Sequence, residues 1–174
     1  MFTYADALNI ATTAHATQTN KSGGPYISYL QTIVEQLQAN NEPEEILIIA
    51  LLQDIMGEAT GYTPAKLSEL GVPAEVIDTL SILAHHKDQA FIDDYSCKRM
   101  AEAIPAEDAT YEAREKDYLR YIEKLKTNPI ARKVKTETIK TLLKEDLISK
   151  NDRREKKNKF RVIKYQRALE ALES

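Results

Sequence analysis

Apolar residues recur at intervals of three and four along nearly the whole chain, as at Ile27, Leu30 and Val34. This spacing places them on one face of an α-helix, whereas a half-buried strand would alternate apolar and polar residues. No stretch shows that alternation. The pattern therefore predicts an all-α fold of about eight to ten helices.

Proline and glycine mark several of the predicted helix ends. Pro43, Pro64 and Pro73 stand at predicted helix starts, because proline at the first helical position gives up no intrahelical hydrogen bond. Gly71 lies between two of these helices and suits the stop of the first one. The third helix then runs from Pro43 into the apolar stretch that ends at Gln53, and its spacing predicts that Gln53 points inward.

The stretch from residue 88 to residue 111 is acidic and weakly patterned. It predicts a helix over 96–103 and a loop over 104–109. A longer helix is predicted over 111–126, ending before Asn128 and a following proline.

Length and composition indicate one globular domain spanning residues 1–174. No apolar run approaches the ~20 residues that cross a bilayer, and the first residues lack the pattern of a signal peptide. We therefore expect a cytoplasmic protein with no membrane partner. The single cysteine, Cys97, excludes an internal disulfide and a cysteine-rich zinc site.

Lysine and arginine are concentrated between residues 150 and 167. Such a run can contact nucleic-acid phosphates, and binding of that kind would weaken steeply with salt. The favoured interpretation is a solvated helix face, because no base-reading motif accompanies the charge. A nucleic-acid partner is therefore an alternative rather than the main hypothesis.

Candidate chemistry is confined to polar residues on apolar faces. The chain has no glycine-rich phosphate loop, no nucleophile elbow and no C-x-x-C pair. The remaining candidates are His15, Tyr29, Gln53, Asp54 and Thr138.

Several stretches resemble HD-domain phosphohydrolases, above all the RelA/SpoT-like branch that hydrolyses (p)ppGpp. The stretch AHATQTNKSGGPYISYL is similar to the family's AHxGQxRKxGxPYIxHP, and IIALLQDIMGEAT is similar to its ALLHDVVEDT. Further similar passages are LSELGVPAEVIDTLSILAHHKD, DYLRYIEKLKTNPIARKVKTETI and KYQRALEAL. The resemblance covers most of the chain, with residues 89–112 as an insertion, and it implies an HD-domain-like helical bundle.

The resemblance also implies the position of a metal site. In the family, two separate histidines, a His-Asp pair and a later aspartate hold a divalent metal, usually manganese. The corresponding residues here are His15, Tyr29, Gln53, Asp54 and Thr138. Phenol, amide and hydroxyl groups are weak donors to such a cation. Each lost ligand can lower metal affinity by roughly 10–100-fold, so we expect no resident metal, no other cofactor and no activated hydroxide.

Other family positions are altered too. The residues that correspond to the family's substrate pocket are Asn20, Lys21, Ser22, Tyr26 and Tyr118. Asn20 replaces a base-contacting arginine of the family. Gly57 and Glu58 replace its acidic pair, which helps to orient the attacking water.

Histidines have structural interpretations as well. Without a metal, His15 is interpreted as a core histidine hydrogen-bonded to Asp54 or Gln53. His85 and His86 lie near a predicted helix end, where histidines commonly face solvent. A metal site rebuilt around them is the alternative.

The leading hypothesis is an HD-type pseudoenzyme that binds a guanine nucleotide or a protein partner without cleaving it. The first alternative is an active Mn²⁺-dependent nucleotide phosphohydrolase that uses His15, Asp54 and Glu58, with or without His85 and His86. The second is the nucleic-acid-associated module. The sequence leaves the oligomeric state open.

Overall fold

The structure, a computed structural model, describes residues 1–20, 22–148 and 155–174. Within these ranges it contains nine α-helices and no strand, so the predicted all-α class is confirmed. No helix among them is both long and apolar enough to cross a membrane. The helices are α1 (Tyr4–Ala14), α2 (Tyr26–Ala39), α3 (Glu44–Leu52), α4 (Pro64–Glu69), α5 (Ala74–Leu83), α6 (Gln89–Ala101), α7 (Ala106–Leu125), α8 (Pro129–Ile148) and α9 (Glu155–Glu173).

Helix starts follow the prolines closely. Thr63 caps α4 by accepting a first-turn backbone N–H, and Pro64 occupies the first turn as predicted. Pro43 and Pro73 stand one position earlier than predicted, as the residues that precede α3 and α5. Gly71 adopts a φ of 84° after α4, a conformation that glycine reaches without steric cost.

The predicted loop over 104–109 is wrong for most of its length, because α7 already begins at Ala106. Pro105 directly precedes the helix, and Glu107 and Asp108 lie in its first turn. Carboxylates are stabilised there by the positive end of the helix dipole. The acidic residues that weakened the apolar pattern are thus the ones that a helix N-terminus favours.

The chain divides into two compact units. The first comprises Met1–Ala84 and Asn128–Thr141, and the second comprises His85–Thr127 and Leu142–Ser174. The single domain predicted for residues 1–174 stays a prediction. The same holds for the insertion at 89–112, a stretch that forms α6 and the start of α7.

The first unit is organised around α3. Every residue of this helix from Ile46 to Leu52 is buried, and α3 contacts α1, α2 and α5. A helix that is apolar on all sides is one that neighbours surround. The polar residues that follow it, Gln53 and Asp54, therefore stand directly after a buried and wholly apolar stretch of helix.

The second unit is organised around α7, which contacts α6 and α9. The buried apolar residues of this unit include Ile92, Ala113, Ile122, Leu125, Ala168 and Leu172.

Candidate functional site

Elements of the first unit carry all five positions that correspond to the family's metal ligands. His15 ends α1, Tyr29 lies in α2, Gln53 and Asp54 follow α3, and Thr138 lies in α8. Four of these residues are buried, with His15 3% exposed and Gln53 4% exposed, whereas Asp54 is half-buried. The prediction that Gln53 points inward is confirmed.

The amide of Gln53 is hydrogen-bonded at both ends. Its Oε1 accepts from Thr138 Oγ1 at 2.9 Å, and its Nε2 donates to the Ala50 carbonyl at 3.1 Å. Thr138 Oγ1 also lies 2.8 Å from the Val134 carbonyl, so two acceptors share its one proton. Two of the five positions are therefore bonded to each other.

Asp54 is held by a tyrosine. The Tyr26 hydroxyl donates to Asp54 Oδ2 at 2.6 Å, a length typical of a hydrogen bond to a carboxylate. The Tyr26 ring also lies 4.8 Å from the His15 ring and 5.4 Å from the Tyr29 ring, measured between centroids. Tyr26 thus joins three of the five positions; its expected role in substrate binding stays a prediction.

His15 makes a different hydrogen bond from the one expected. Its Nδ1 lies 2.8 Å from Gln18 Oε1, so the prediction of a bond to Asp54 or Gln53 is wrong. As the C-terminal cap of α1, His15 is close in sequence to Gln18, and this local acceptor takes the Nδ1 proton. The buried Nε2 is then an acceptor with no hydrogen-bond partner among the described residues.

These donors do not fit a divalent metal. His15 Nε2 and the Asp54 carboxylate are the two strong donors among the five positions, and one Asp54 oxygen is already bonded to Tyr26. Structural and catalytic zinc sites use at least three protein ligands, and harder cations take six or more donors. Across the described ranges, no three His, Cys, Asp or Glu side chains are grouped to hold a metal, and this includes His85 and His86.

Asn20 shapes a turn before α2. Its Oδ1 accepts from the backbone N–H of Ser22 at 3.1 Å, from the Ser22 hydroxyl at 3.0 Å and from the Gly24 N–H at 3.0 Å. Such a side chain mimics a backbone acceptor and stabilises the turn. Lys21 lies outside the described residues. The predicted substrate-binding roles of Asn20, Lys21 and Ser22 stay predictions.

The remaining predicted residues are divided between the two units. Gly57 and Glu58 are exposed in the turn that follows α3. Tyr118 belongs to the second unit, where it is buried and its ring centroid lies 5.4 Å from that of His85 and 5.9 Å from that of Tyr165.

The hydroxyl of Tyr26 gives a direct test of this cluster. We expect Tyr26→Phe to lower the free energy of unfolding by about 1–2 kcal/mol, because it removes the bond to the half-buried Asp54 carboxylate and keeps the ring. Urea denaturation followed by circular dichroism measures this. Tyr62→Phe is the control, since the Tyr62 hydroxyl makes no hydrogen bond among the described residues. Equal stability losses in the two variants would contradict the role given to Tyr26.

The second unit contains a cavity of about 350 Å³. Sequence reasoning named Tyr118, His85 and the basic segment 150–167 as separate candidates and did not predict that residues from all three line one cavity. The signal available was a helical repeat of polar and aromatic residues at positions 111, 114, 115 and 118. The lining residues are His85, Lys87, Ile92, Tyr111, Arg114, Glu115, Asp117, Tyr118, Lys157, Phe160, Arg161, Lys164 and Tyr165.

Comparison with known proteins identifies the fold. No protein-family model matches the chain, and no curated protein does. A solved structure described as "A metazoan ortholog of SpoT hydrolyzes ppGpp and plays a role in starvation responses" matches with a TM-score of 0.69. The match covers 97% of this chain and 84% of that one at 14% sequence identity. At this identity the likeness shows a shared fold, the HD-like helical bundle.

Proposed function

We propose that this chain is a catalytically inactive relative of the HD-domain hydrolases that acts by binding a nucleotide or a protein partner. The observation that carries the proposal is that protein groups already form hydrogen bonds to three of the five ligand positions. Gln53 is paired with Thr138 and Asp54 with Tyr26, so protein groups take up donors that a metal would need.

The loss of strong metal ligands matters because hydrolysis at neutral pH needs an activated water molecule. A bound dication lowers the pKa of its water molecule to about 7 and so supplies hydroxide for attack on phosphorus. The histidine that remains, His15, offers one ring nitrogen, and its other nitrogen is bonded to Gln18. A cation held by His15 and Asp54 alone would be exchanged readily, because the other positions carry weak donors.

The test is metal analysis and hydrolysis on the natural chain. After purification with added Mn²⁺, we expect far less than one Mn²⁺ per chain and no release of pyrophosphate from ppGpp above a protein-free blank. The metazoan ppGpp hydrolase, assayed in parallel, is the positive control for the quality of the substrate and the metal.

Two single variants make the negative result interpretable. His15→Ala and Asp54→Ala remove the two strong donors, and we expect both to behave like the natural chain. Stoichiometric Mn²⁺ with turnover that both variants abolish would overturn the proposal and establish the active hydrolase instead.

A further inference from the structure

The cavity of the second unit is bordered by one face of α7 and one face of α9. Four of the five lining residues of α7 lie at spacings of three, four and seven from position 111, and Asp117 is the fifth. The lining residues of α9 lie at spacings of three, four, seven and eight from position 157, which places them on one helix face. Helix faces that pack together normally carry apolar residues at these positions. Here they carry charged and aromatic side chains, namely Tyr111, Arg114, Glu115 and Tyr118 on α7 and Lys157, Phe160, Arg161, Lys164 and Tyr165 on α9.

Cations outnumber carboxylates among the residues that line the cavity. Five lysine or arginine side chains line the cavity against two carboxylates, and both carboxylates are already engaged. Glu115 is paired with Arg167, which is not among the lining residues. Asp117 lies 3.1 Å from His85 Nε2. The cavity therefore presents an excess of positive charge, which favours an anion.

Two cations are placed to hold that anion. Arg114 of α7 and Lys157 of α9 line the cavity and form no ion pair with any described residue. The guanidinium group of arginine matches the geometry of phosphate oxygens, and lysine binds phosphate as a compact charge. Among the described residues, neither side chain has an ion-pair partner that a phosphate would have to displace.

The aromatic residues of the cavity indicate a ligand that carries a ring system as well as an anionic group. The Tyr111 and Phe160 rings stack with centroids 4.7 Å apart and planes 14° apart. A base can extend such a stack, since base–aromatic stacking contributes roughly 1–3 kcal/mol. The rings of Tyr118 and Tyr165 are instead covered by Lys164, whose Nζ lies 4.8 Å from each centroid.

Size limits the ligand further. Small-molecule pockets range from about 300 to 1,000 Å³, and this cavity of about 350 Å³ is at the small end. We propose that it binds one nucleotide, with its phosphates between Arg114 and Lys157 and its base against the Tyr111–Phe160 stack. This site would supply the nucleotide named under the proposed function. The site includes none of the five metal positions. A finding of hydrolysis in the first unit would therefore not contradict nucleotide binding in this cavity.

The test is calorimetric titration of the full chain with GDP and with ADP at low salt. We expect binding of at least one, and at least about a 10-fold loss of affinity in the double variant Arg114→Gln/Lys157→Gln, because charge-assisted bonds to phosphate are removed. The matched control is Lys116→Gln/Lys159→Gln. It removes two charges from the same two helices at exposed positions outside the cavity, and its affinity should change by less than about 2-fold.

A second arm tests the base. Phe160→Leu keeps an apolar side chain but removes the ring. It should therefore lower the affinity for the nucleotide and leave the affinity for inorganic pyrophosphate unchanged. Phe91→Leu is its control, because Phe91 is in the same unit and does not line the cavity.

Several outcomes would overturn the inference. The first is the absence of any heat of binding with GDP or ADP at millimolar concentration. The second is an equal loss of nucleotide affinity in the two double variants. The third is pyrophosphate binding as tight as nucleotide binding. If the chain binds a single-stranded oligonucleotide and both double variants weaken that binding equally, the nucleic-acid hypothesis replaces the nucleotide site. Of the basic segment behind that hypothesis, residues 150–154 lie outside the described residues, and Lys156 is paired with Glu107 and Asp108.

Discussion

The triple variant Tyr29→His, Gln53→His and Thr138→Asp is expected to bind Mn²⁺ at least about 10³-fold more tightly than the natural chain. Each substitution replaces a weak donor by a strong one, and each ligand contributes roughly a factor of 10–100. His15 Nε2 is already buried and has no hydrogen-bond partner among the described residues, so one further metal donor is in place before any change is made. Titration with Mn²⁺ followed by electron paramagnetic resonance measures the affinity.

The same variant should be stabilised by the metal. Thr138 is 4% exposed, so an aspartate there is a buried charge that costs stability until a cation pairs with it. We expect its melting temperature to rise with Mn²⁺ concentration, because a ligand that binds only the folded state stabilises it. Thermal denaturation with and without Mn²⁺ shows this, and refolding in Mn²⁺ recovers a variant that is unfolded without it.

Adding His15→Ala to the triple variant is the control, and it should remove most of the gained affinity. If the folded triple variant binds no Mn²⁺, or if His15→Ala makes no difference, then the assignment of these positions to a former metal site is wrong.

Ile49→Ala is expected to lower the free energy of unfolding by about 2–5 kcal/mol, the range for removing a large aliphatic side chain from a packed core. Ile49 is 0% exposed in the middle of α3, the helix that contacts α1, α2 and α5. Domains are commonly stable by about 5–15 kcal/mol, so the loss would be a large fraction of the total. Guanidinium denaturation monitored by circular dichroism measures it.

Ile82→Ala provides the matched comparison, since the same atoms are removed from a side chain that is 38% exposed on α5. We expect a loss below about 1 kcal/mol there. A similar loss at both positions would show that burial around α3 is not what stabilises the first unit.

Local pattern accounts for what could be predicted of the fold. Apolar spacing predicted the all-α class, Pro64 predicted the start of α4, and the run before Gln53 predicted an inward amide. These features depend on backbone geometry and on residues within a few positions of each other, which the sequence states directly. The start of α7 was missed because the acidic first turn carries no apolar period.

The chemistry of the metal positions was also readable from the sequence. Donor strength is a property of the side chain itself, so Tyr29, Gln53 and Thr138 are weak donors in any fold. What the sequence could not state was how these groups would be satisfied, and the expected partner of His15 was wrong for that reason.

Tertiary structure alone decided the partners. Gln53 meets Thr138 across 85 positions of chain, Tyr26 reaches Asp54 across 28, and the cationic faces of α7 and α9 border one cavity. Such pairings depend on how helices pack and on which rotamers the packed side chains adopt. Residue types and helical periods are therefore determined by the sequence of this protein, whereas its hydrogen-bond partners and its cavity arise only when distant segments are brought together.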